Sequence, residues 1–116
     1  MANTFKVVTK AGVTSADVIY TVAGSTTTVI LGLILGNTTS ASINATVTLG
    51  TDTANRAGAN NETNQDVELL TTTPIPGNSS LELLAGNKVV METTDTLTVT
   101  GTGATDVVLS IMEITP

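Results

Sequence analysis

Three observations predict an all-β fold. Short apolar runs recur at regular spacing, two of them alternate strictly with polar residues, and threonine fills about a fifth of the chain. Threonine is β-branched and suits a pleated strand, packing its methyl while it presents a small polar face. No stretch shows a sustained 3.6-residue period between helix caps. The expected architecture is an antiparallel β-sandwich, jelly-roll-like, in one domain of 116 residues.

Nine strands are read in order: Thr4–Thr9, Asp17–Val22, Thr27–Leu35, Ser42–Leu49, Val67–Thr72, Ser80–Leu84, Lys88–Glu92, Thr96–Thr100 and Asp106–Thr115. In the fourth, Ile43, Ala45, Val47 and Leu49 face one side and Asn44, Thr46 and Thr48 the other. In the eighth, Leu97 and Val99 oppose Thr96, Thr98 and Thr100. Both patterns suit strands with one buried and one solvated face. The third and ninth break that rule. Simple alternation along the third puts Val29, Leu31, Leu33 and Leu35 on one face and Ile30, Gly32 and Ile34 on the other. In the ninth, Val107, Leu109 and Ile111 oppose Val108, Ser110, Met112 and Ile114. Such outer faces are covered either by the N-terminal segment or a loop, or by another chain.

Between the strands, Gly50–Gln65 is a long polar stretch expected to form an exposed loop. Thr73–Ser80, with two prolines and Gly-Asn, reads as a crossover followed by a turn. Gly86-Asn87 and Gly101–Asp106 each read as a tight hairpin. Residues 1–9 double as a candidate docking arm, because they carry Phe5 and Lys6.

Aromatic residues make up only 2%, namely Phe5 and Tyr20, so aliphatic side chains and threonine methyls must build the core. Such a core buries little area per residue, and oligomerisation is the expected remedy. A net charge of −6, with Lys6, Lys10, Arg56 and Lys88 scattered, excludes a nucleic-acid binder. No basic segment followed by an apolar one opens the chain, so no signal peptide is expected. The longest apolar run, Val29–Leu35, falls far short of the roughly 20 residues a membrane helix needs. No membrane partner is expected.

Catalytic vocabulary is thin. With no histidine and no cysteine, a Ser-His or Cys-His nucleophile cannot be built. Carboxylate pairs remain, but sugar sites add aromatic platforms that one Tyr and one Phe hardly supply. The chain is expected not to be an enzyme and to need no cofactor. A weak calcium candidate is the oxygen series Asn60, Glu62, Asn64 and Asp66, which lacks the glycine and terminal glutamate of an EF-hand loop. A solvated loop is the plainer reading. Gly101-Thr102-Gly103 lacks the third glycine of a dinucleotide fingerprint and precedes a strand, so its glycines are read as turn residues.

The order of segments resembles the small β-sandwich virion proteins of tailed bacteriophages, especially marine and cyanobacterial phages. It runs TVAGSTTTVILGLILGN, a polar loop, PIPGNSSLELLAGNKVVMETTDTLTVT, and a closing VVLSIMEIT. Most of the likeness lies in Pro76–Val99, with its Pro-Gly-x-Ser-Ser lead-in, Leu81-Glu82-Leu83-Leu84, Gly86, Lys88 and Asp95-Thr96-Leu97. The resemblance implies a virion structural protein, best a capsid decoration (cement) protein, with a neck, collar or tail accessory as the alternative. Its implied partners are further copies of itself, a trimer foremost, and virion proteins such as the major capsid protein. A receptor- or glycan-binding module on a fibre is the rival from another class. A pilus-like surface subunit is disfavoured by the missing secretion signal. The interface is expected at Val29, Ile30, Leu31, Leu33, Ile34, Leu35, Met112 and Ile114, with Phe5 on the docking arm.

Overall fold

In the computed structural model, which describes residues 1–51, 65–84 and 86–116, nine strands form two antiparallel sheets packed as a β-sandwich. The strands are β1 (Ala2–Val13), β2 (Ala16–Thr21), β3 (Thr27–Asn37), β4 (Ile43–Thr51), β5 (Gln65–Ile75), β6 (Ser80–Leu83), β7 (Val89–Met91), β8 (Thr96–Gly101) and β9 (Thr105–Thr115). The first sheet runs β1-β9-β3-β6, with β7 also on β3, and the second runs β2-β8-β4-β5. The early strands therefore meet the late ones in successive pairs, β1 with β9, β2 with β8, β3 with β6 and β7, and β4 with β5. These pairs alternate between the two sheets, which is the wrapping of a jelly roll.

Between the sheets lies an aliphatic core. Ile30, Leu33, Leu35, Leu109, Ile111 and Val107 come from the first sheet, and Ala45, Val47, Leu97 and Val99 from the second. The strict alternation of β4 and β8 survives intact: their apolar residues face in, and Thr46, Thr48, Thr96, Thr98 and Thr100 face out. Burying one large aliphatic side chain contributes roughly 1.5–3 kcal/mol, so a core without aromatics depends on many such residues.

Five details depart from the sequence expectations. Simple alternation fails in β3, because its ladder with β9 jumps from Gly32 opposite Ser110 to Ile30 opposite Ile111. Leu31 is the extra residue of a β-bulge, and it shifts the phase of the strand. The inward set becomes Thr28, Ile30, Leu33, Leu35 and Asn37, and Val29 and Ile34 face outward. Gly86-Asn87 does not close a hairpin, since β6 and β7 pair with separate stretches of β3 rather than with each other. Gly86 adopts φ +79 and Leu84 φ +69 in the break between them. Gly101–Asp106 is not a hairpin either: Thr102–Ala104 carry the chain from the second sheet to the first. Finally, β5 continues through Pro74 to Ile75, which a sheet edge tolerates because a proline there need not donate inward. Gly50 and Thr51 end β4 and Gln65 opens β5, so the sequence-read loop spanning them is shorter at both ends.

Candidate outer-face contact surface

Antiparallel register puts residues opposite each other on the same side of a sheet. On the outer side of the first sheet this builds a continuous apolar row. Phe5 lies opposite Met112, Met112 opposite Val29, and Val29 opposite Val90. A second row runs Thr9, Val108, Ile34 and Glu82. Between them sits a row of smaller groups, Val7 opposite Ser110 and Ser110 opposite Gly32. A Cβ added at Gly32 would meet no atom within 4 Å, so the middle of the face is open. Phe5 is 72% exposed, Val7 61%, Val90 53%, Ile34 39% and Val108 37%. Solvated sheet faces are ordinarily polar.

The sequence-read interface residues divide accordingly. Phe5, Ile34, Met112 and Ile114 belong to the outer side, with Val29, while Leu31 sits in the bulge. Ile30, Leu33 and Leu35 are fully buried in the core and offer nothing to a partner on this face. Sequence alternation mixed the two groups because it could not see the bulge. Residues 2–9 lie within β1, alongside β9 rather than across the sheet, so they leave the outer face open. Val7, Val90 and Val108 complete the surface. The alternating pattern of the ninth strand already pointed to Val108, whereas Val7 and Val90 needed the pairing partners.

At one end of the sandwich a polar cluster ties the sheets together. A bulge in β2 between Val18 and Tyr20 turns Tyr20 inward. The Tyr20 hydroxyl donates to Glu113 Oε2 at 2.6 Å and lies 2.7 Å from Thr28 Oγ1, which then donates to it. Lys6 Nζ lies 2.7 Å from Glu113 Oε1. Burial, then the Glu113 hydrogen bond, push the Tyr20 phenol up to about 12. Hydrogen bonds from Lys6 and Tyr20 hold the Glu113 carboxyl below its usual range. This is a clamp between strands, with an acid kept ionised by its donors.

A second polar knot joins the β3–β4 and β5–β6 connections. Asn37 is buried, and its Nδ2 donates to the carbonyls of Ala41 (2.8 Å), Ile75 (2.9 Å) and Pro76 (3.2 Å). Its Oδ1 accepts from Thr39 N at 2.9 Å and from Thr39 Oγ1 at 2.7 Å. The Pro-Gly-x-Ser-Ser segment forms the other half. Asn78 N donates to Thr39 O, Ser79 Oγ donates to Pro76 O, and Gly77 packs against the backbone of Ser40 and Ala41.

Of the calcium candidates, Asn60, Glu62 and Asn64 lie outside the described residues, and Asp66 stands exposed on β5. Among the described residues no group of three or more His, Cys, Asp or Glu could hold a metal ion. Among them, too, no helix is long and apolar enough to cross a membrane.

No protein-family model and no curated protein matches the chain. One solved structure, described as "Bacillus endospore appendages form a novel family of disulfide-linked pili", is similar at 14% identity and a TM-score of 0.48, over 98% of this chain and 87% of that one. The present sequence contains no cysteine.

Proposed function

We propose that this protein is a non-catalytic structural subunit that associates with copies of itself through the outer face of its first sheet. The observation that carries the reading is the apolar row Phe5–Met112–Val29–Val90, contiguous across four strands. Exposed apolar surface of this kind is costly in water and marks contact sites. No lysine or arginine faces outward in either apolar row, so what the face offers a partner is dehydration, with Glu82 at its rim. The setting proposed for the subunit is the virion of a tailed phage, as a capsid decoration protein that also contacts other virion proteins. That part rests on the sequence resemblance.

The association is tested by light scattering on the purified protein and on Ile34→Asp. The expected result is an oligomer at micromolar concentration that Ile34→Asp dissociates while the thermal transition remains cooperative. A wild-type monomer, or an oligomer indifferent to Ile34→Asp, overturns the reading. The setting is tested by mass spectrometry of purified particles, where a decoration protein appears in copy number comparable to the major shell protein. Absence from particles sinks it.

A further inference from the structure

We propose that β1 is an exchangeable strand: Ala2–Lys10 of one copy docks on the β9 edge of a second copy, with Ala11–Gly12 as the hinge. The inference goes beyond the contact face above, because it uses the main-chain edge of β9 rather than the outer side of the sheet.

The burial of β1 motivates it. Of its twelve residues only Val13 is buried and only Val8 is half-buried, and the rest are exposed. The strand adds little to the core. It is held by an uninterrupted ladder from Ala2 opposite Thr115 to Lys10 opposite Val107. Beside that ladder stand two side-chain contacts, Lys6 Nζ to Glu113 Oε1 at 2.7 Å and Gly12 N donating to Asp106 Oδ1 at 2.9 Å. The first fixes where on β9 an incoming strand must carry its cation.

The occupant follows from those contacts. A strand that fits the β9 edge needs the β1 register, a lysine opposite Ile111 to reach Glu113, and a small apolar residue at the position of Val8. A second copy presents that same strand. Exchange between copies keeps each of these bonds, so it costs little beyond association and hinge rearrangement.

The hinge is visible too. The ladder slips between Lys10 and Val13, and Gly12 in that bulge adopts φ +69. Glycine takes this conformation without strain and also adopts extended ones, so the two residues between Lys10 and Val13 can straighten into a crossing segment. Val13, buried in the core, anchors everything downstream. The boundary between the exchangeable and the fixed part is therefore Ala11–Gly12.

The absence of cysteine makes the test clean. Lys10 and Val107 face each other on the inner side, out of reach of contacts through the outer face. Two differently tagged chains, Lys10→Cys and Val107→Cys, are refolded together from urea at high concentration, oxidised and run on a non-reducing gel. Exchange gives a mixed-chain disulfide for this pair and none for the off-register pair Thr4→Cys with Val107→Cys. The band persists when Ile34→Asp is added to both chains, so failure of the contact-face reading and failure of this one are told apart. Gly12→Val, which cannot hold a left-handed conformation comfortably, strengthens the band. The proposal is overturned if no mixed-chain band forms while Lys10→Cys/Val107→Cys within one chain closes an internal disulfide.

Discussion

Removing the Asn37 side chain should cost about 2–4 kcal/mol, and the reasoning can be followed bond by bond. Its amide nitrogen serves three carbonyls, but two have a second donor. Thr39 Oγ1 lies 2.8 Å from Ala41 O and can turn its one proton there once Asn37 Oδ1 is gone, and Pro76 O accepts from Ser79 Oγ at 2.7 Å. Ile75 O loses its bond to the amide inside a buried site. Leaving such a group under-satisfied costs roughly 1–3 kcal/mol, and the space vacated by the amide adds about 1 kcal/mol. With a urea dependence of about 1–3 kcal/mol per M, the midpoint of Asn37→Ala falls by roughly 1–2 M. Asn37→Asp sharpens the test. It keeps the acceptor for Thr39 but points a carboxylate at three carbonyl oxygens, so at neutral pH it should be less stable than Asn37→Ala. The new acid titrates above its unfolded value of about 3.9, so the folded state binds the extra proton. Its stability deficit is absent below that value and grows as pH rises through the folded pKa. Urea melts of both variants at acid and neutral pH decide the matter. If Asn37→Asp matches or exceeds Asn37→Ala at neutral pH, the donor assignment of Asn37 is wrong.

Other consequences are as direct. Leu33 is buried and Ile34 faces out, so Leu33→Ala should cost about 2–5 kcal/mol and Ile34→Ala under about 1 kcal/mol in the dissociated protein, and similar costs would refute the bulge-shifted face assignment. A Cβ at Gly77 would collide with the Ser40 carbonyl group, backbone that cannot swing aside, so Gly77→Ala should lower stability by about 1–3 kcal/mol in a thermal melt. The Glu113 pKa is lowered on folding, so its contribution is present above the unfolded value of 4.5 and is lost as pH falls through the folded one. The Tyr20 phenol is raised from 10.0 to about 12, so its contribution is full below 10.0 and declines as pH rises toward 12. Stability-versus-pH curves should lose the acid slope from this site in Glu113→Gln and the alkaline slope in Tyr20→Phe.

Strand positions were legible in the sequence because threonine alternation and Gly/Asn punctuation are local signals. All nine expected strands exist, the edges moving by a few residues. Pairing was not legible. Nothing local distinguishes a hairpin at Gly86-Asn87 from two strands laid end to end along β3, since the choice depends on β3 being long enough to receive both. The Leu31 bulge was equally hidden, because an extra apolar residue in an apolar run leaves no gap in the pattern. It decides which residues a partner could touch, moving Ile30, Leu33 and Leu35 inside. Asn37 reads as a strand-end polar residue, and its five side-chain hydrogen bonds depend on connections that meet only in three dimensions.

The two outer faces of the sandwich act as controls for each other. On the second sheet, register sets Thr100 opposite Thr46 and Thr98 opposite Thr48, with Ala16, Val18 and Thr21 alongside on β2. Threonine fills the middle of this surface, β-branched for strand preference with a hydroxyl toward solvent, and Val18 is an exposed valine on its β2 margin. On the two central strands of the first sheet, Val29, Ile34, Val108 and Met112 stand where the second sheet has threonine, with Ser110 and Gly32 between them. Strand propensity alone would be served as well by threonine, so the missing hydroxyls argue for a dry environment. The exchange Val29→Thr, Val90→Thr and Val108→Thr tests this with near-isosteric changes that keep β-branching. Because these side chains face outward, the melting transition of the dissociated protein should move little, while self-association measured by light scattering should weaken. Unchanged association would place the subunit contact elsewhere, and a large loss of monomer stability would show that these valines belong to the core.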